Sequence, residues 1–423
     1  MADGHVLDGQ ADGAQPSLLV LSSLFPSPEE PLAGLFIRER MLRVARHLPV
    51  TVVAPVTWFP LQGVIRRWRP HFRLTRPVDA IDAGVRVHRP RYLSIPGPIL
   101  LDGAGMAAGA RTVVRAITGQ GGPWIIDAHF AYPDGYAASL LARRLNLPYT
   151  VTLRGTETRH SRMPAVRHRM QMALCGAARV FSVSESLRAL ALELGVVPGR
   201  AVVVPNGVDI TRFHPVDRQQ ARQDLGIPAD ARVLITVGGL VRRKGYYKVI
   251  ERLGRLRQRW GNVVYLAVGG ASREGDDGPA LKAQARAAGL ADCVRFLGAL
   301  PPSQLKAPLS AADVMVLASA NEGWANVLLE SMACGTPVVA SNVGGNAEVV
   351  ANEQLGIIFD LADDASLDAA LSNALERSWD RSCIVEYARR NSWQSRVDQL
   401  VEQFRAVAQE PSARVECRQG LVP

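Results

Sequence analysis

The chain has 423 residues, 48% of them apolar, and a formal net charge of +10 at pH 7. That length and apolar content allow two ordinary domains with a core each, which excludes disordered and fibrous proteins. The five cysteines are scattered and include no C-x-x-C pair. They therefore indicate neither a disulfide framework nor a zinc site.

Residues 1–16 are predicted to form a flexible leader with acidic side chains, whereas a secretory signal would begin with Lys or Arg. The apolar run that follows, 18–24, is interrupted by Ser22 and Ser23 and is too short to span a bilayer. We therefore expect a cytoplasmic protein.

The positive charge is confined to the N-terminal half. Residues 1–205 contain 24 arginines, no lysine and 14 acidic residues, whereas residues 206–423 contain 25 basic and 25 acidic residues. An arginine-rich surface can bind nucleic acid, an anionic membrane or an acidic substrate. Because no recognition helix, zinc finger or RNA-binding signature accompanies it, we expect no nucleic-acid partner.

From residue 18 onwards, short β-branched runs alternate with amphipathic stretches. Helices are predicted at 36–48, 135–145 and 186–194. Strands are predicted at 18–22, 50–54, 85–88, 124–128, 149–153, 180–183 and 201–204. This βαβ alternation predicts a parallel sheet with helices on its faces, and hence a Rossmann-like, acceptor-side domain over 17–205.

The alternation stops at residue 205 and restarts near residue 231. Residues 206–230 are rich in Pro, Asp and Arg without a strand pattern, so they are predicted to be the interdomain linker. Helices follow at 246–260 and 326–334, among others. Strands are predicted at 233–237, 263–268, 294–297, 314–317, 337–340 and 356–359. They indicate a second Rossmann-like domain over 231–390.

The predicted fold class is therefore α/β, with two doubly wound domains facing across a cleft. Open sheets of this kind bind ligands beyond the carboxyl ends of their strands, so a ligand site is expected between the domains. The amphipathic stretch at 391–411 has no strand after it, and we expect it to cross back to the N-terminal domain. Residues 412–423 are predicted to be a loose tail.

The segment 321–340, with the sequence NEGWANVLLESMACGTPVVA, carries the clearest chemical signal. A strand is predicted to end just before it, and the helix that begins inside it leaves backbone N–H groups free to bind a phosphate. Glu322 lies in the turn and Glu330 two helical turns later, so the carboxylates are expected to reach different ends of one hydroxyl-rich ligand. The alternative is that both are ordinary solvated helix charges.

Residues 322–345 resemble the donor site of retaining GT-B glycosyltransferases of the family 4, group 1 type. The resemblance lies in two Glu residues separated by seven others, followed by Met-Ala-Cys-Gly-x-Pro and then by a Gly-Gly pair. Three further segments agree in order: a glycine turn at 33–34, a hinge-like run at 204–209 and a diphosphate loop at 237–245. The resemblance extends from about residue 18 to residue 407 and implies a GT-B fold.

The resemblance implies that Glu330 binds ribose hydroxyls, Glu322 the transferred sugar and Lys244 the diphosphate of a nucleotide-sugar donor. A lysine on a glycine-rich turn suits that task because it is a mobile point charge. The family usually has an arginine five residues before this lysine, where this chain has Gly239. Either Arg242 or Arg243 is expected to supply the missing charge, and the spacing does not choose between them. The other implied donor-binding residues are Gly34, Gly238, Gly323, Trp324, Ala325, Asn326 and Val327.

Two N-terminal residues complete the predicted catalytic set with Lys244 and Glu322. His129 follows a predicted strand, and the family has a histidine there near the reacting sugar; the alternative is a structural histidine. Arg154 ends the next predicted strand, where many relatives have histidine, and this departure resembles the branch acting in teichuronic acid and exopolysaccharide assembly. A guanidinium there suits an anionic group on donor or acceptor. The alternative is a salt bridge to Glu157 or Asp127.

No two Asp residues are two apart in the chain, so the Asp-x-Asp metal clamp of the other major glycosyltransferase fold is missing. We therefore expect neither a metal nor a cofactor. The charge of the leaving diphosphate would be met by Lys244, nearby arginines and the helix N-terminus.

The stretch 58–76 interleaves aromatic and aliphatic side chains with arginines. Its members are Trp58, Phe59, Leu61, Ile65, Trp68 and Phe72 with Arg66, Arg67, Arg69 and Arg73. Such a mixture suits the headgroup level of an anionic membrane, which would place the protein on the inner face of the plasma membrane. The alternative is an irregular loop with solvated arginines and partly packed tryptophans.

The sequence thus predicts a retaining glycosyltransferase, a hexosyltransferase, that moves a sugar from a UDP- or GDP-sugar to a saccharide or lipid-linked acceptor in cell-surface or exopolysaccharide biosynthesis. Retention is implied by the resemblance, because no nucleophile is identified. One alternative is a sugar-nucleotide epimerase of the same fold. Another is a catalytically silent nucleotide-sugar-binding scaffold, an alternative that the missing arginine at Gly239 keeps open.

Overall fold

The computed structural model describes residues 15–68, 72, 75–95, 97, 99–272 and 274–410. The predicted leader therefore lies almost wholly outside the described residues, and so does the predicted tail at 412–423. Arg69 and Arg73 of the arginine-rich stretch also lie outside them.

The N-terminal half forms one eight-stranded sheet and one two-stranded ribbon. Its strands are β1 (Ser17–Leu21), β2 (Val50–Val53), β3 (Val56–Trp58), β4 (Ala80–Asp82), β5 (Val85–His88), β6 (Arg91–Leu93), β7 (Trp124–His129), β8 (Tyr149–Leu153), β9 (Arg179–Ser182) and β10 (Ala201–Val203). The large sheet has the order β10-β9-β8-β7-β1-β2-β5-β4, and only β4 is antiparallel to its neighbour. The ribbon pairs β3 with β6 in parallel.

Seven helices connect these strands in the described part of this half. They are α1 (Leu35–Val44), α2 (Gln62–Ile65), α3 (Asp102–Thr118), α4 (Tyr136–Leu145), α5 (Glu157–His160), α6 (Pro164–Cys175) and α7 (Glu185–Glu193). The short strands β3, β4 and β6 were not predicted, because three residues are too few to show an alternation of apolar and polar side chains.

The C-terminal half forms a six-stranded, wholly parallel sheet of order β13-β12-β11-β14-β15-β16. In chain order its elements are α8 (Arg218–Asp224), β11 (Arg232–Val237), α9 (Tyr246–Trp260), β12 (Val263–Val268), α10 (Gly278–Ala287), β13 (Val294–Gly298), α11 (Lys306–Ala311), β14 (Val314–Leu317), α12 (Asn326–Ala333), β15 (Val338–Ser341), α13 (Asn346–Val349), β16 (Gly356–Phe359), α14 (Asp364–Glu376), α15 (Arg381–Arg390) and α16 (Trp393–Gln409).

The central strands are buried on both faces, which explains their sequences. All five residues of β8 and all six of β12 are buried, and most are β-branched or aromatic. Such continuous apolar runs are typical of parallel sheets covered by helices on both sides. Each sheet consequently has one apolar core on each face.

The last helix, α16, returns to the N-terminal domain. Val397, Leu400 and Phe404 lie on one face of it and pack against that domain's sheet, where the rings of Phe404 and Phe181 meet edge to face at 5.5 Å. Val208 pairs with Ser392 at the point where the chain crosses between domains for the second time. The two crossings therefore form one hinge.

The segment predicted as a linker, 206–230, differs from that expectation. It contains α8, and Phe213, Ala221 and Ile227 belong to the core of the C-terminal domain. The buried Arg222 donates to the Asp313 carboxylate at 2.9 Å and to main-chain carbonyl oxygens. The polar composition of this segment suggested an irregular linker. In the structure the Arg222 side chain forms its hydrogen bonds inside the C-terminal domain, so a polar residue is compatible with packing there.

Candidate active site

The strand order reverses once in each sheet, between β1 and β7 and between β11 and β14. Loops at the carboxyl ends of the strands diverge at such points, which leaves room for a ligand. The carboxyl ends of the two sheets face each other, because a Cβ atom on Gly155, after β8, would lie 2.7 Å from the nitrogen of Gly323, after β14. Arg154 and Glu322 stand next to these two glycines in the chain.

Gly34 and Gly238 stand at the two reversal points. Gly34 precedes α1 with φ 71°, and a Cβ atom there would lie 2.3 Å from the carbonyl oxygen of Leu24. Gly238 follows β11 with φ 152°. Both positions need glycine because L side chains rarely adopt these conformations.

The basic turn, Arg242–Lys244, lies between β11 and α9. Lys244 Nζ lies 2.7 Å from Glu322 Oε1, and Arg243 Nη1 lies 3.5 Å from the same oxygen. Arg242 instead stacks over the ring of Tyr247, with 4.5 Å between the guanidinium carbon and the ring centroid. The structure thus brings Lys244, Arg243 and Glu322 together and leaves Arg242 apart.

Glu330 lies on α12 and is partly buried. Burial raises the pKa of its carboxyl to about 7, and the positive charges of Arg212 and Lys244 only partly oppose this shift. No hydrogen bond to this carboxylate occurs among the described residues. Glu330 is therefore available to a ligand and titrates close to neutral pH.

Helix α12 begins at Asn326 with Ala325 before it, and no side chain caps its N-terminus. Its first N–H groups are consequently free to bind an anion. Trp324 packs against cores of both domains, and its buried indole N–H has no partner among the described residues. Asn326 accepts a hydrogen bond of 2.9 Å from Asn206 in the hinge, and Val327 packs against the core of its own domain.

His129 is the last residue of β7 and has no exposed surface. Arg154 Nε and Nη2 approach its Nδ1 at 3.2 and 2.9 Å, so Nδ1 accepts and the proton lies on Nε2, which is 3.4 Å from Asp127 Oδ2. Burial and the charge of Arg154 hold the pKa of His129 well below its ordinary value. His129 is therefore a neutral group beneath the cleft surface.

Arg154 is only 8% exposed and forms no ion pair among the described residues. Beyond His129, its guanidinium donates to Asn206 Oδ1 at 3.2 Å and stacks over Phe36 at 5.1 Å. The alternative of a salt bridge to Glu157 or Asp127 is not what the structure shows. Arg154 is a buried positive charge with neutral partners.

Sequence reasoning missed the role of Glu157. Its carboxylate accepts backbone hydrogen bonds from Ala131 at 3.0 Å, Arg154 at 3.0 Å and Gly155 at 2.7 Å. It thereby holds the loops after β7 and β8 in position. Glu157 stands two residues after Gly155, which follows the end of β8. This position is the signal in the sequence that could have indicated a carboxylate that holds the loop.

Two further carboxylates were also missed. Glu274 binds Arg243 with both oxygens, at 2.9 and 2.7 Å. Glu348, before the end of α13, accepts from the backbone nitrogens of Glu185 and Ser186 at 2.7 and 3.2 Å, across the domain boundary. Neither could be found from sequence, because each contact joins residues far apart in the chain.

Three further features were considered, namely a surface groove, a metal site and a membrane-spanning helix. A surface groove of about 690 Å³ lies beside β16 and is lined by residues such as Glu353, Ile358 and Arg377. Across the part of the chain that the structure describes, no three His, Cys, Asp or Glu side chains are grouped as metal ligands. Among the same residues, no helix is long and apolar enough to cross a membrane.

Comparison with known proteins agrees with this geometry. Residues 217–391 match the family of glycosyl transferases group 1, and residues 50–212 match glycosyltransferase family 4. The teichuronic acid biosynthesis glycosyltransferase TuaC of Bacillus subtilis is 27% identical over 375 residues, which cover 86% of this chain and 90% of that protein. A D-inositol 3-phosphate glycosyltransferase of Geodermatophilus obscurus is 34% identical over 313 residues, covering 70% and 66%.

Solved structures show the same fold. Sucrose-phosphate synthase from Thermosynechococcus elongatus superposes with a TM-score of 0.74 at 21% identity, covering 93% of this chain and 99% of that one. Anabaena HepE in complex with UDP-glucose superposes with a TM-score of 0.70 at 19% identity, covering 92% of this chain and 99% of that one.

Two facing Rossmann-like domains with a final helix that crosses back define the GT-B class, and the structural neighbours confirm this fold. The family matches account for most of both domains. The chain belongs to the group 1, family 4 glycosyltransferases, and it is a transferase.

Proposed function

We propose that this glycosyltransferase moves a sugar from a UDP- or GDP-sugar to a saccharide or lipid-linked acceptor, with retention of configuration at the transferred carbon. The observation that carries the proposal is the meeting of Lys244 and Glu322 at 2.7 Å beside the free N-terminus of α12. A diphosphate bears the negative charge that suits such a site, and a sugar bears the hydroxyls that a carboxylate binds.

Each side chain has a task in this scheme. Lys244 binds the diphosphate, Glu322 the transferred sugar and Glu330 the ribose. Without a donor, Glu322 neutralises Lys244, so donor binding exchanges one anionic partner of Lys244 for another. Positive charge and backbone N–H groups then stabilise the leaving diphosphate, while the acceptor attacks from the same face.

His129 and Arg154 complete the proposed site from the N-terminal domain. The neutral His129 orients the guanidinium of Arg154 through Nδ1, and the buried charge of Arg154 favours an anionic donor or acceptor. The names of two relatives contain teichuronic acid and inositol 3-phosphate, which are acidic molecules. These names and the basic N-terminal half support an acidic acceptor in cell-surface or exopolysaccharide biosynthesis.

We also propose that transfer needs no metal, because the leaving charge is met by Lys244 and its neighbours. Activity should then survive excess EDTA. Loss of activity with EDTA, followed by recovery with Mn²⁺ or Mg²⁺, would overturn this part of the proposal.

A peripheral membrane position is proposed from the exposed apolar side chains. Among the described residues, every exposed large apolar side chain lies before residue 211. Trp58 of β3 and Leu93 of β6 are adjacent in the ribbon and both exposed, and Leu61 and Trp68 follow with 65% and 76% exposure. Beside the arginines of this region, they suit an anionic bilayer surface on the inner leaflet.

The test is transfer from a panel of radiolabelled UDP- and GDP-sugars, with and without bacterial lipid-linked and soluble saccharide acceptors. A product whose formation depends on the acceptor, and whose new linkage keeps the donor configuration by NMR, supports the proposal. Inversion of that configuration would overturn retention. Isomerisation of the nucleotide sugar without any acceptor would support the epimerase instead.

A further inference from the structure

Gly239, five residues before Lys244, stands where the family usually has an arginine, and Ser272 lies close beside it. A Cβ atom on Gly239 would lie 3.3 Å from the Cβ and 3.4 Å from the Oγ of Ser272. The first distance is closer than an ordinary van der Waals contact. A side chain at position 239 would therefore require Ser272, in the segment that follows β12, to shift slightly.

The same segment carries Glu274, which fixes Arg243. The two carboxylate oxygens accept from Arg243 Nε and Nη2 at 2.9 and 2.7 Å, and Nη1 donates to the carbonyl oxygen of Asn321 at 2.9 Å. A bidentate pair sets the plane of a guanidinium as well as its position. Arg243 is thus held between the loops that follow β12 and β14.

Lys244 and Arg243 converge on one atom. Nζ of Lys244 and Nη1 of Arg243 lie 2.7 and 3.5 Å from Glu322 Oε1. Arg242, although it is next in the chain, is exposed and stacks over Tyr247 instead. Only one of the two candidate arginines therefore reaches the acidic group that Lys244 binds.

We propose that Arg243, oriented by Glu274, is the second cation for the donor diphosphate and replaces the arginine absent at Gly239. This inference rests on the proposed nucleotide-sugar function. The two cations differ in chemistry, since Lys244 is a mobile point charge, whereas Arg243 is a planar guanidinium held in a fixed orientation with Nη1 towards Glu322. Glu274 is a positioning residue, because it acts on the ligand only through Arg243.

The experiment measures binding of UDP, GDP and the corresponding nucleosides by titration calorimetry. Arg243→Gln should weaken binding of the nucleoside diphosphate by about 10- to 100-fold, the usual effect of losing a charged hydrogen bond, and leave nucleoside binding unchanged. Arg242→Gln, the competing candidate on the same turn, should have less than about twofold effect. Arg286→Gln on α10 is the control, because it also removes one positive charge and should not change binding.

Two more variants test how Arg243 is held. Arg243→Lys should recover only part of the affinity, because it restores the charge without the planar guanidinium that Glu274 orients. Glu274→Gln should weaken diphosphate binding less than Arg243→Gln, because the guanidinium remains but loses its fixed plane. Unchanged melting temperatures exclude a folding effect.

The outcomes separate this inference from the function on which it rests. If the wild-type protein binds neither UDP nor GDP, the donor assignment fails and this inference fails with it. If the wild type binds a diphosphate and Arg243→Gln binds it equally well, the inference alone is wrong. Equal losses in the Arg242 and Arg243 variants would also overturn it, since they would reflect the general charge of the turn.

Discussion

At the scale of single residues, Glu330 combines partial burial with a position on the helix that faces the cleft. Burial raises its carboxyl pKa to about 7. A carboxylate accepts hydrogen bonds from ribose hydroxyls better than a neutral carboxyl does. Protonation near neutral pH should therefore oppose nucleotide binding.

The first prediction is that nucleotide affinity falls as the pH is lowered from 8 to 6. The dissociation constant of UDP or GDP should rise by at most about tenfold per pH unit below the pKa of Glu330. Glu330→Gln should bind more weakly at pH 8 and lose this component of the pH dependence. Calorimetry on both proteins checks it, and parallel pH profiles would contradict it.

The same shift predicts an effect on stability without ligand. The folded pKa, about 7, is higher than the ordinary value of 4.5, so the folded state keeps this proton more tightly. The contribution is complete below about pH 4.5 and is lost as the pH rises through 7. The free energy of unfolding of the wild type, relative to Glu330→Gln, should therefore decrease between these values in urea titrations.

Glu322 provides a prediction about turnover, because its carboxylate forms an ion pair with Lys244. Glu322→Ala should lower kcat with the whole donor by about 10- to 100-fold, since one charged hydrogen bond to the sugar is lost. Binding of bare UDP or GDP should not weaken, because Lys244 is released. Steady-state kinetics and calorimetry check this, with the exposed Glu353→Ala as control. Wild-type kcat would remove Glu322 from the site.

At the scale of elements, the ribbon of β3 and β6 and the short helix α2 form an exposed surface on the N-terminal domain. Its apolar side chains and arginines lie at one side of a domain that carries the whole positive excess of the chain. The donor domain carries none, so the two domains should respond differently to an anionic bilayer.

We predict that the variant Arg66→Gln with Arg67→Gln binds anionic vesicles less than the wild type. Each basic side chain near such a surface contributes about 1 kcal/mol, so the loss of two should weaken binding by about 30-fold. The control is Arg232→Gln with Arg286→Gln, which removes equal charge from the donor domain. Liposome co-sedimentation, with and without anionic lipid and at rising salt, is the measurement.

Trp68→Ser should separate the apolar contribution from the charge. It should reduce binding with little change in the dependence on salt. If wild type, arginine variant and control sediment alike, or if none prefers anionic vesicles, the membrane proposal is wrong. The basic surface would then serve an acidic substrate or only solubility.

At the scale of the whole molecule, the two domains touch across the cleft, an arrangement that we call closed. Gly155 meets Gly323, and the Glu348 carboxylate binds the first N–H groups of α7 at 2.7 and 3.2 Å. An acidic group at a helix N-terminus is stabilised by hydrogen bonds and by the helix dipole. Glu348 should accordingly favour the closed arrangement.

Glu348→Ala is predicted to shift the protein towards an open form. The cost of about 0.5–2 kcal/mol for losing such a cap should appear as a larger radius of gyration in small-angle scattering and as a higher donor KM. Glu353→Ala, in the same domain but exposed, is the control. Scattering and kinetics identical to the wild type would show that Glu348 does not affect closure.

The sequence by itself determined that the chain forms two sheets of mainly parallel strands. The strands β8 and β12 were predicted with the same first and last residues that the structure shows. Burial on both faces of a sheet requires an unbroken run of strand-forming side chains, which is visible in the sequence. Glycines at strand ends and the spacing of Glu322 and Glu330 indicated the donor-side site, since turns and helix starts are local features. The functions assigned to those residues remain predictions.

Only the tertiary structure decided which polar groups meet. Spacing could not choose between Arg242 and Arg243, since that choice depends on Glu274 and Tyr247, which approach the turn through folding. Composition likewise suggested a linker at 206–230, because it does not show that Arg222 bonds inside a domain. Local patterns fix where strands and turns occur, whereas pairing between distant charges depends on distances that only the folded chain sets.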